Sequence, residues 1–191
     1  MTRLYFSILF VLLSTTVLPA ENLTSFEVDG KYGFKNEKGE VRITPRYYFA
    51  SEFNEYGFTS VAEESGFFFV DQKGTHKFQM FAYDNGPDYF ADGLARFVEK
   101  GKMGFFNEKA QRVIPAQYDF ANPFEKGLSV VCNGCKKVMH GEHWTMEGGR
   151  WSVIRKSGKP AVAAEFDAPP TIDGKTVTGK VKGVPRTLKI P

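Results

Sequence analysis

The sequence predicts an all-β protein of tandem antiparallel β-meander repeats, about three and a half units of roughly 35 residues, stacked into a twisted repeat array. Glycine and phenylalanine each occur 19 times among the 191 residues, a composition typical of a turn-rich, aromatic β protein. Short apolar segments recur along the chain at nearly constant spacing. No segment free of glycine and proline keeps the 3.6-residue apolar period of a helix over about three turns.

Each repeat opens with a short apolar strand that ends at a polar turn. The opening motifs are Tyr32-Gly33-Phe34, Gly66-Phe67-Phe68, Met103-Gly104-Phe105 and the divergent Trp151-Ser152-Val153-Ile154. The turns are Asn36-Glu37-Lys38-Gly39, Asp71-Gln72-Lys73-Gly74, Asn107-Glu108-Lys109-Ala110 and Lys156-Ser157-Gly158-Lys159. After the first turn, Val41 and Ile43 alternate with polar residues, which indicates a strand with one buried face.

A central aromatic residue marks the second half of each repeat, and an outgoing strand closes it. The central aromatics are Tyr48, Tyr83, Tyr118 and Phe166, and the aspartates that follow the last three are Asp84, Asp119 and Asp167. We expect the aromatics at equivalent core positions and the aspartates in Asx turns that cap the loops, with ligand binding as the alternative. Strands are predicted near residues 32–36, 41–44, 58–62, 67–71, 94–99, 104–107 and 128–132. One unit cannot bury its aromatic face alone, so the units should stack.

These motifs resemble the WG β-repeat (KWG repeat) family of bacterial, often exported proteins. The third repeat carries the resemblance best, through Gly101-Lys102-Met103-Gly104-Phe105-Phe106-Asn107, Ile114-Pro115-Ala116-Gln117-Tyr118-Asp119 and Phe124-Glu125-Lys126-Gly127-Leu128-Ser129. The resemblance covers roughly residues 28–168. Tyr32, Ser65 and Met103 stand where the naming tryptophan is expected, and Trp151 keeps it. The resemblance implies a β-repeat fold without a common catalytic activity.

The first twenty residues predict export. Arg3 precedes the apolar segment Leu4 to Leu13, which is too short to cross a bilayer of about 30 Å as a helix, and Ala20 is a small residue at a plausible cleavage point. An uncleaved anchor is the alternative. We therefore expect a signal peptide at 1–20, a repeat domain at 21–168 with an insertion at 132–149, and a basic tail at 169–191. The tail should be solvated or an edge strand of the cap, with contact to a polyanion as the alternative. The mature chain should be periplasmic or extracellular, and no later segment is apolar enough for a membrane span.

Charge and motifs argue against several functional classes. A formal net charge of +3 gives no basic footprint for nucleic acid. The chain contains no Gly-x-Ser-x-Gly, His-Glu-x-x-His or phosphate-binding Gly-Lys-Ser/Thr motif. A non-enzymatic binding module is therefore favoured, with an unknown protein or an envelope glycan as partner. The rows Tyr47-Tyr48-Phe49, Phe67-Phe68-Phe69 and Phe105-Phe106 should lie mostly in the core, but side chains that alternation turns outward, such as Phe68, offer a surface for sugars or peptides.

The insertion contains the two cysteines of the chain, in Cys132-Asn133-Gly134-Cys135. Asn-Gly favours a two-residue turn, so we expect a hairpin tip at Asn133-Gly134 with a structural disulfide across it. His140 and His143 complete a Cys-x2-Cys-x4-His-x2-His pattern, which leaves zinc as an alternative cofactor to none. A thiol–disulfide enzyme is a further alternative, although the glycines that follow do not predict the helix that would activate a thiol.

The export prediction can be checked on protein secreted from cells. N-terminal sequencing should begin at Glu21, because Ala20 provides the small residue that signal peptidase requires. Another starting residue would show that the site is wrong, and retention of Met1 would contradict cleavage altogether.

Overall fold

The computed structural model describes residues 21–163 and 165–191, and all helix or strand structure in these residues is β-strand. The strands form six antiparallel sheets in chain order, which confirms the predicted all-β fold of meander repeats. The expected signal peptide lies outside the described residues. Within residues 21–163 and 165–191 there is no helix with the length and apolarity needed to cross a membrane.

The strands follow one another along the chain, and most sheets are three-stranded meanders. The first sheet contains β1 (Leu23–Val28), β2 (Lys31–Asn36) and β3 (Val41–Tyr47). The second contains β4 (Phe49–Ala50), β5 (Phe58–Glu63), β6 (Gly66–Asp71) and β7 (His76–Gln79). A short hairpin of β8 (Ala82–Tyr83) and β9 (Gly86–Pro87) precedes the third, which contains β10 (Leu94–Glu99), β11 (Lys102–Asn107) and β12 (Arg112–Tyr118). The last two contain β13 (Phe120–Ala121), β14 (Leu128–His140) and β15 (His143–Arg155), then β16 (Thr171–Asp173), β17 (Thr176–Val181) and β18 (Val184–Lys189).

The structural unit is displaced from the sequence repeat. The outgoing strand of one sequence repeat pairs with the opening strand of the next, as β5 pairs with β6 and β10 with β11. β1 plays the same part for the first unit, although no sequence repeat precedes it. The sheets of the second, third and fourth units therefore join the end of one sequence repeat to the start of the next. All seven predicted strand positions coincide with observed strands.

An Asx turn ends the opening strand in the first three units. Asn36 Oδ1 accepts hydrogen bonds from the backbone amides of Lys38 at 3.1 Å and Glu40 at 2.9 Å. Asp71 and Asn107 make the same pair of bonds at the equivalent positions. The repeated Asn or Asp of the sequence is therefore the residue that closes the turn after the opening strand.

The predicted core position is correct for two of the four central aromatics and wrong for the other two. Tyr118 lies opposite Met103 and Phe166 opposite Trp151, and all four are buried. Tyr48 and Tyr83, however, are 56% and 47% exposed. In the first two units the equivalent core residues are Tyr47, opposite Tyr32, and Met80, whose amide donates to the carbonyl of Phe67.

The first unit contains a β-bulge that the second unit lacks, and this difference explains why the even repeat spacing predicts the wrong core residue in the second unit. Tyr32 pairs with Tyr47 while Phe34 pairs with Ile43, so Gly33 faces several residues of β3. A Cβ at Gly33 would lie 2.5 Å from the Ile43 carbonyl oxygen, which only glycine avoids.

Gly104 makes the same close approach in the third unit, to the Ile114 carbonyl oxygen. The second unit has Phe68 at this position and lacks the bulge, because Phe68 pairs directly with Gln79. The missing bulge shortens the strand pair of that unit, and the β8–β9 hairpin lengthens the loop that follows. Because the two changes offset each other, the opening motifs of the first three repeats remain almost evenly spaced along the sequence. Phe67, and not Ser65, therefore occupies the tryptophan position of the second repeat.

Four buried clusters hold the array together, and each is shared by two neighbouring units. Phe34 and Tyr47 of the first unit, for example, pack with Val61 of the second. Residues 169–191 form a fifth unit, because Val177 joins the cluster of Trp151. Burying one such aliphatic or aromatic side chain stabilises the fold by about 1.5–3 kcal/mol, so the junctions dominate its stability.

The insertion lengthens one hairpin of the fourth unit. In the third unit Glu99 pairs with Lys102 across a two-residue turn, and the equivalent pair in the fourth is Asn133 with Arg150. Residues 134–149 therefore replace the turn. The chain reverses at residues 141–142, between β14 and β15, so the prediction that Asn133-Gly134 forms the hairpin tip is wrong.

The predicted disulfide joins Cys132 to Cys135 within β14, with their Cα atoms 6.1 Å apart. Both cysteines are buried and pack with Trp151 in the cluster shared by the fourth and fifth units. Gly134 and Gly149 face each other between them, both at positive φ, and a Cβ on Gly149 would lie 2.3 Å from the Cys135 amide nitrogen. The disulfide thus fixes the base of the inserted hairpin instead of its tip.

Substitution of a central residue tests the corrected register. Tyr118→Ala should lower the free energy of unfolding by about 3–5 kcal/mol, because it removes a buried aromatic ring. Tyr48→Ala, the matched control, should cost about 1 kcal/mol or less, since its ring is exposed and contacts Lys31. Equal losses in urea denaturation would contradict the register.

Removal of the disulfide should have a modest effect on stability. The bond closes a very short loop, so the double variant Cys132→Ser, Cys135→Ser should lower the unfolding free energy by about 2 kcal/mol. The far-UV circular dichroism spectrum should remain that of a β protein. Global unfolding of the double variant at 25 °C would show that the repeats depend on this bond.

Candidate functional site

A groove of about 1480 Å³ lies between the loop that follows Met80 and the inserted hairpin. Its aromatic lining includes Phe81, Tyr83, Tyr89, Phe120 and Trp144. Its polar lining includes Asp84, Asn85, Asn122, Glu125, Lys126 and Glu142. The groove therefore combines exposed rings with amide and carboxylate groups, a lining suited to binding an elongated ligand.

The groove is built where the chain departs from its regular repeat. One wall contains the β8–β9 hairpin, with Tyr83, and the loop residue Tyr89. The opposite wall contains Glu142 and Trp144 of the inserted hairpin. Insertions in repeat proteins map to loops on one face, which is often the binding face. Two unrelated irregularities thus contribute to a single surface.

A buried ion pair supports the wall that contains Tyr83. The Arg96 and Asp88 side chains are 2% and 1% exposed, and Arg96 donates to both carboxylate oxygens, at 2.5 Å from Nη2 and 2.9 Å from Nε. Arg96 Nη1 also donates to the Ala121 carbonyl oxygen at 3.0 Å. The guanidinium lies 4.6 Å from the ring centroid of Phe81 and 5.5 Å from that of Tyr83. The pair therefore ties this wall to β10 and β13, and loss of either partner alone would leave a buried charge unpaired.

Aromatic packing supports the opposite wall. Trp144 packs edge-to-face against Phe120, with ring centroids 5.9 Å apart, and Phe120 in turn packs against the buried Trp151 at 6.3 Å. Lys137 Nζ lies 4.9 Å from the Trp144 ring centroid. Across the groove, the Tyr83 and Tyr89 rings pack against each other at 5.5 Å. Trp144 and Tyr89 remain 41% and 48% exposed, so both offer ring surface to a ligand.

Asp119 and Asp167 connect successive units, and the expectation of local Asx turns at these residues is wrong. Asp119 lies 2.6 Å from Lys102 Nζ and accepts a 2.6 Å hydrogen bond from the Gly134 amide of the next unit. The Lys102 ammonium is the main cause that lowers the pKa of Asp119. This carboxylate therefore stabilises the stacking of units.

Asp167 occupies the same place one unit further on. Its carboxylate lies 2.6 Å from Arg150 Nη1 and accepts hydrogen bonds from the amides of Lys182 and Gly183 in the fifth unit. The Gly183 amide is the main cause that lowers the pKa of Asp167. Asp84 differs from both, because it lies in the β8–β9 turn at the groove.

The cysteine and histidine residues of the zinc alternative fall into two separate pairs. Cys132 and Cys135 are bonded to each other, whereas His140 lies opposite His143 at the tip of the hairpin. Cys135 and His140 are five positions apart on an extended strand, which corresponds to about 17 Å. His140 Nε2 lies 2.7 Å from Glu147 Oε1, and this contact is the main cause that lowers the Glu147 pKa. Among the residues that the structure describes, no three His, Cys, Asp or Glu side chains are grouped to hold a metal ion.

The aromatic rows lie only partly where the sequence predicts them. Phe69, Phe105 and Phe106 are buried, as expected. Phe68, expected to face outward, is half-buried and stacks on His76, with ring centroids 4.1 Å apart. Of the exposed rings of the groove, Tyr83 belongs to the repeated motifs, whereas Tyr89 and Trp144 belong to neither the rows nor the motifs. The insertion at 132–149 pointed to the segment that contains Trp144, whereas the even repeat interval gave no sign of the segment that contains Tyr89.

The comparisons with known proteins concern the repeats. A family model described as WG containing repeat matches residues 32–66 and 103–136. Both matches begin at the strand position before the bulge glycine, in the two units where Gly33 and Gly104 keep that bulge. A search of curated proteins found no match. The chain therefore carries repeats of the WG family, as its motifs indicated.

Proposed function

We propose that this is an exported, non-catalytic repeat protein that binds a component of the cell envelope in the groove between the β8–β9 hairpin and the inserted hairpin. The observation that carries the proposal is the position of Tyr89 and Trp144, two exposed rings that line one groove. The Asp88–Arg96 ion pair supports the wall that contains Tyr89, and packing on Phe120 supports Trp144. A rigid scaffold with exposed aromatic side chains binds ligands at low entropic cost.

The lining of the groove favours binding over catalysis. No histidine or cysteine is among the described residues that line it. Ser129, a lining hydroxyl, donates a 2.7 Å hydrogen bond to the Asn122 carbonyl oxygen and has no adjacent base. Asp88 and Arg96 neutralise each other below the surface. Ser–His and Cys–His pairs are the usual arrangement for covalent acyl transfer, and the described residues of this lining do not supply one.

Export is supported by the N-terminal sequence and by the disulfide. The first twenty residues have the charge and apolar pattern of a signal peptide. Disulfides persist in oxidising compartments such as the periplasm and the extracellular space, and Cys132 and Cys135 are bonded. The thiol–disulfide and zinc alternatives draw less support, because the same two cysteines are buried and already bonded.

Sedimentation with envelope fractions tests this proposal. Mature protein should be retained by washed cell walls or membranes, and Tyr89→Ala with Trp144→Ala should reduce the retained fraction by about tenfold, as expected when about 1.4 kcal/mol of contact energy is lost. The control pairs Tyr48→Ala with Met139→Ala, which removes an exposed tyrosine and an exposed hairpin residue outside the groove. Equal retention of groove and control variants, or no retention of the unmodified protein, would overturn the proposal.

A further inference from the structure

We propose that the ligand of the groove is an uncharged oligosaccharide. This inference rests on the proposed function and specifies the chemistry of the same site. The C–H faces of the sugar rings would stack on Tyr89 and Trp144, and their hydroxyls would bond to the side-chain amides of Asn85 and Asn122.

The charges around the groove disfavour both anionic and cationic ligands. The lining carries the carboxylates of Asp84, Glu125 and Glu142, whereas its exposed cation is Lys126 and its other cation, Arg96, is buried and paired with Asp88. An anionic chain would therefore meet more negative than positive charge. A cation already lies over one face of two lining rings: Arg96 over Tyr83, and Lys137 over Trp144. A cationic ligand would therefore be repelled at the rings where cation–π attraction would otherwise hold it.

The polar lining disfavours a purely apolar ligand. Asn85 and Asn122 line the groove, and no hydrogen bond among the described residues uses either side-chain amide. A lipid chain would cover these amides without bonding to them, which costs about 1–3 kcal/mol for each buried group. Sugar hydroxyls both donate and accept, so they can pair with an amide and with the neighbouring carboxylates.

The strands of the groove disfavour an extended peptide. Strand addition requires a sheet edge long enough to hydrogen-bond the incoming backbone. Two strands at this lining, Ala82–Tyr83 and Phe120–Ala121, have only two residues each. The longer edge strand β15 contributes only Trp144 to the lining, which is too little for strand addition. A sugar chain needs no such edge, because ring stacking holds it: the negative face of an aromatic ring attracts the electron-poor C–H groups of a pyranose. The volume of about 1480 Å³ exceeds what a single small molecule fills, which indicates an oligomer.

Calorimetric titration with defined probes tests the inference. The uncharged probes are cellohexaose, maltohexaose, xylohexaose and N-acetylchitohexaose; the charged ones are hexagalacturonate and the deacetylated chitosan hexamer; the peptide probe is an uncharged proline-rich decapeptide. At least one uncharged hexasaccharide should bind with a Kd below about 10 mM, and about tenfold more tightly than either charged hexamer. Tyr89→Ala and Trp144→Ala should each weaken that binding about tenfold, Trp144→Phe less, and the control Tyr48→Ala less than about twofold.

The outcomes separate this inference from the proposed function. Failure of all four uncharged hexasaccharides to bind, or tighter binding of a charged hexamer, would overturn the saccharide inference. If envelope retention still depends on Tyr89 and Trp144 in that case, or if the peptide binds and the same variants abolish its binding, the groove is a binding site for a different ligand. An unchanged urea-denaturation midpoint confirms that each variant is folded, which is expected because both side chains are partly exposed.

Discussion

The structure depends on burial of aromatic and aliphatic side chains between units, because no three-stranded meander can cover its own apolar face. Phe34 packs with Val61 of the next unit, and the same pattern recurs at each junction as far as Val177. Polar contacts then fix how the units are placed. Asp119 accepts from the amide of Gly134, and Asp167 from that of Gly183, so each carboxylate reaches the unit that follows. Apolar burial supplies the stability, and these carboxylates supply the register.

The regular part of the array determines where irregular segments are held. A loop that lengthens one unit cannot enter a filled junction, so it must project at the surface. The β8–β9 segment is secured from below by Asp88 and Arg96, and the inserted hairpin by its disulfide and by Trp151. Two loops that would otherwise be mobile thereby become opposite walls of a groove. The buried charge pair costs desolvation energy, and it is retained where it positions exposed rings.

The sequence was sufficient to predict the strands, the meander order and the disulfide, since alternation and turn residues act over a few positions. It was insufficient for the register of the central aromatics. Tyr47 and Tyr48 are adjacent, and alternation requires that one of them faces the core without saying which. In the second unit the loss of a bulge is offset by a longer loop. The even spacing of the repeat motifs therefore gave no sign of either change. Asn133-Gly134 has the composition of a tight turn, yet it lies within a strand because the insertion moved the reversal to residues 141–142. The groove was not predicted because its two walls, the β8–β9 segment and the inserted hairpin, are distant in sequence and have no sequence motif in common.

The bulge glycines show how a repeat motif can be present or absent without loss of the fold. At Gly33 and Gly104 the opposing strand approaches so closely that a side chain would meet a carbonyl oxygen. The motif glycine is therefore a consequence of the bulge, and Phe68 is allowed where the bulge is missing. The core requirement is different, because Tyr47, Met80, Tyr118 and Phe166 all fill the same place with different side chains. A buried apolar or aromatic side chain thus fills this position in all four units, whereas the backbone pairing beside it differs in the second unit, whose longer loop forms a wall of the groove.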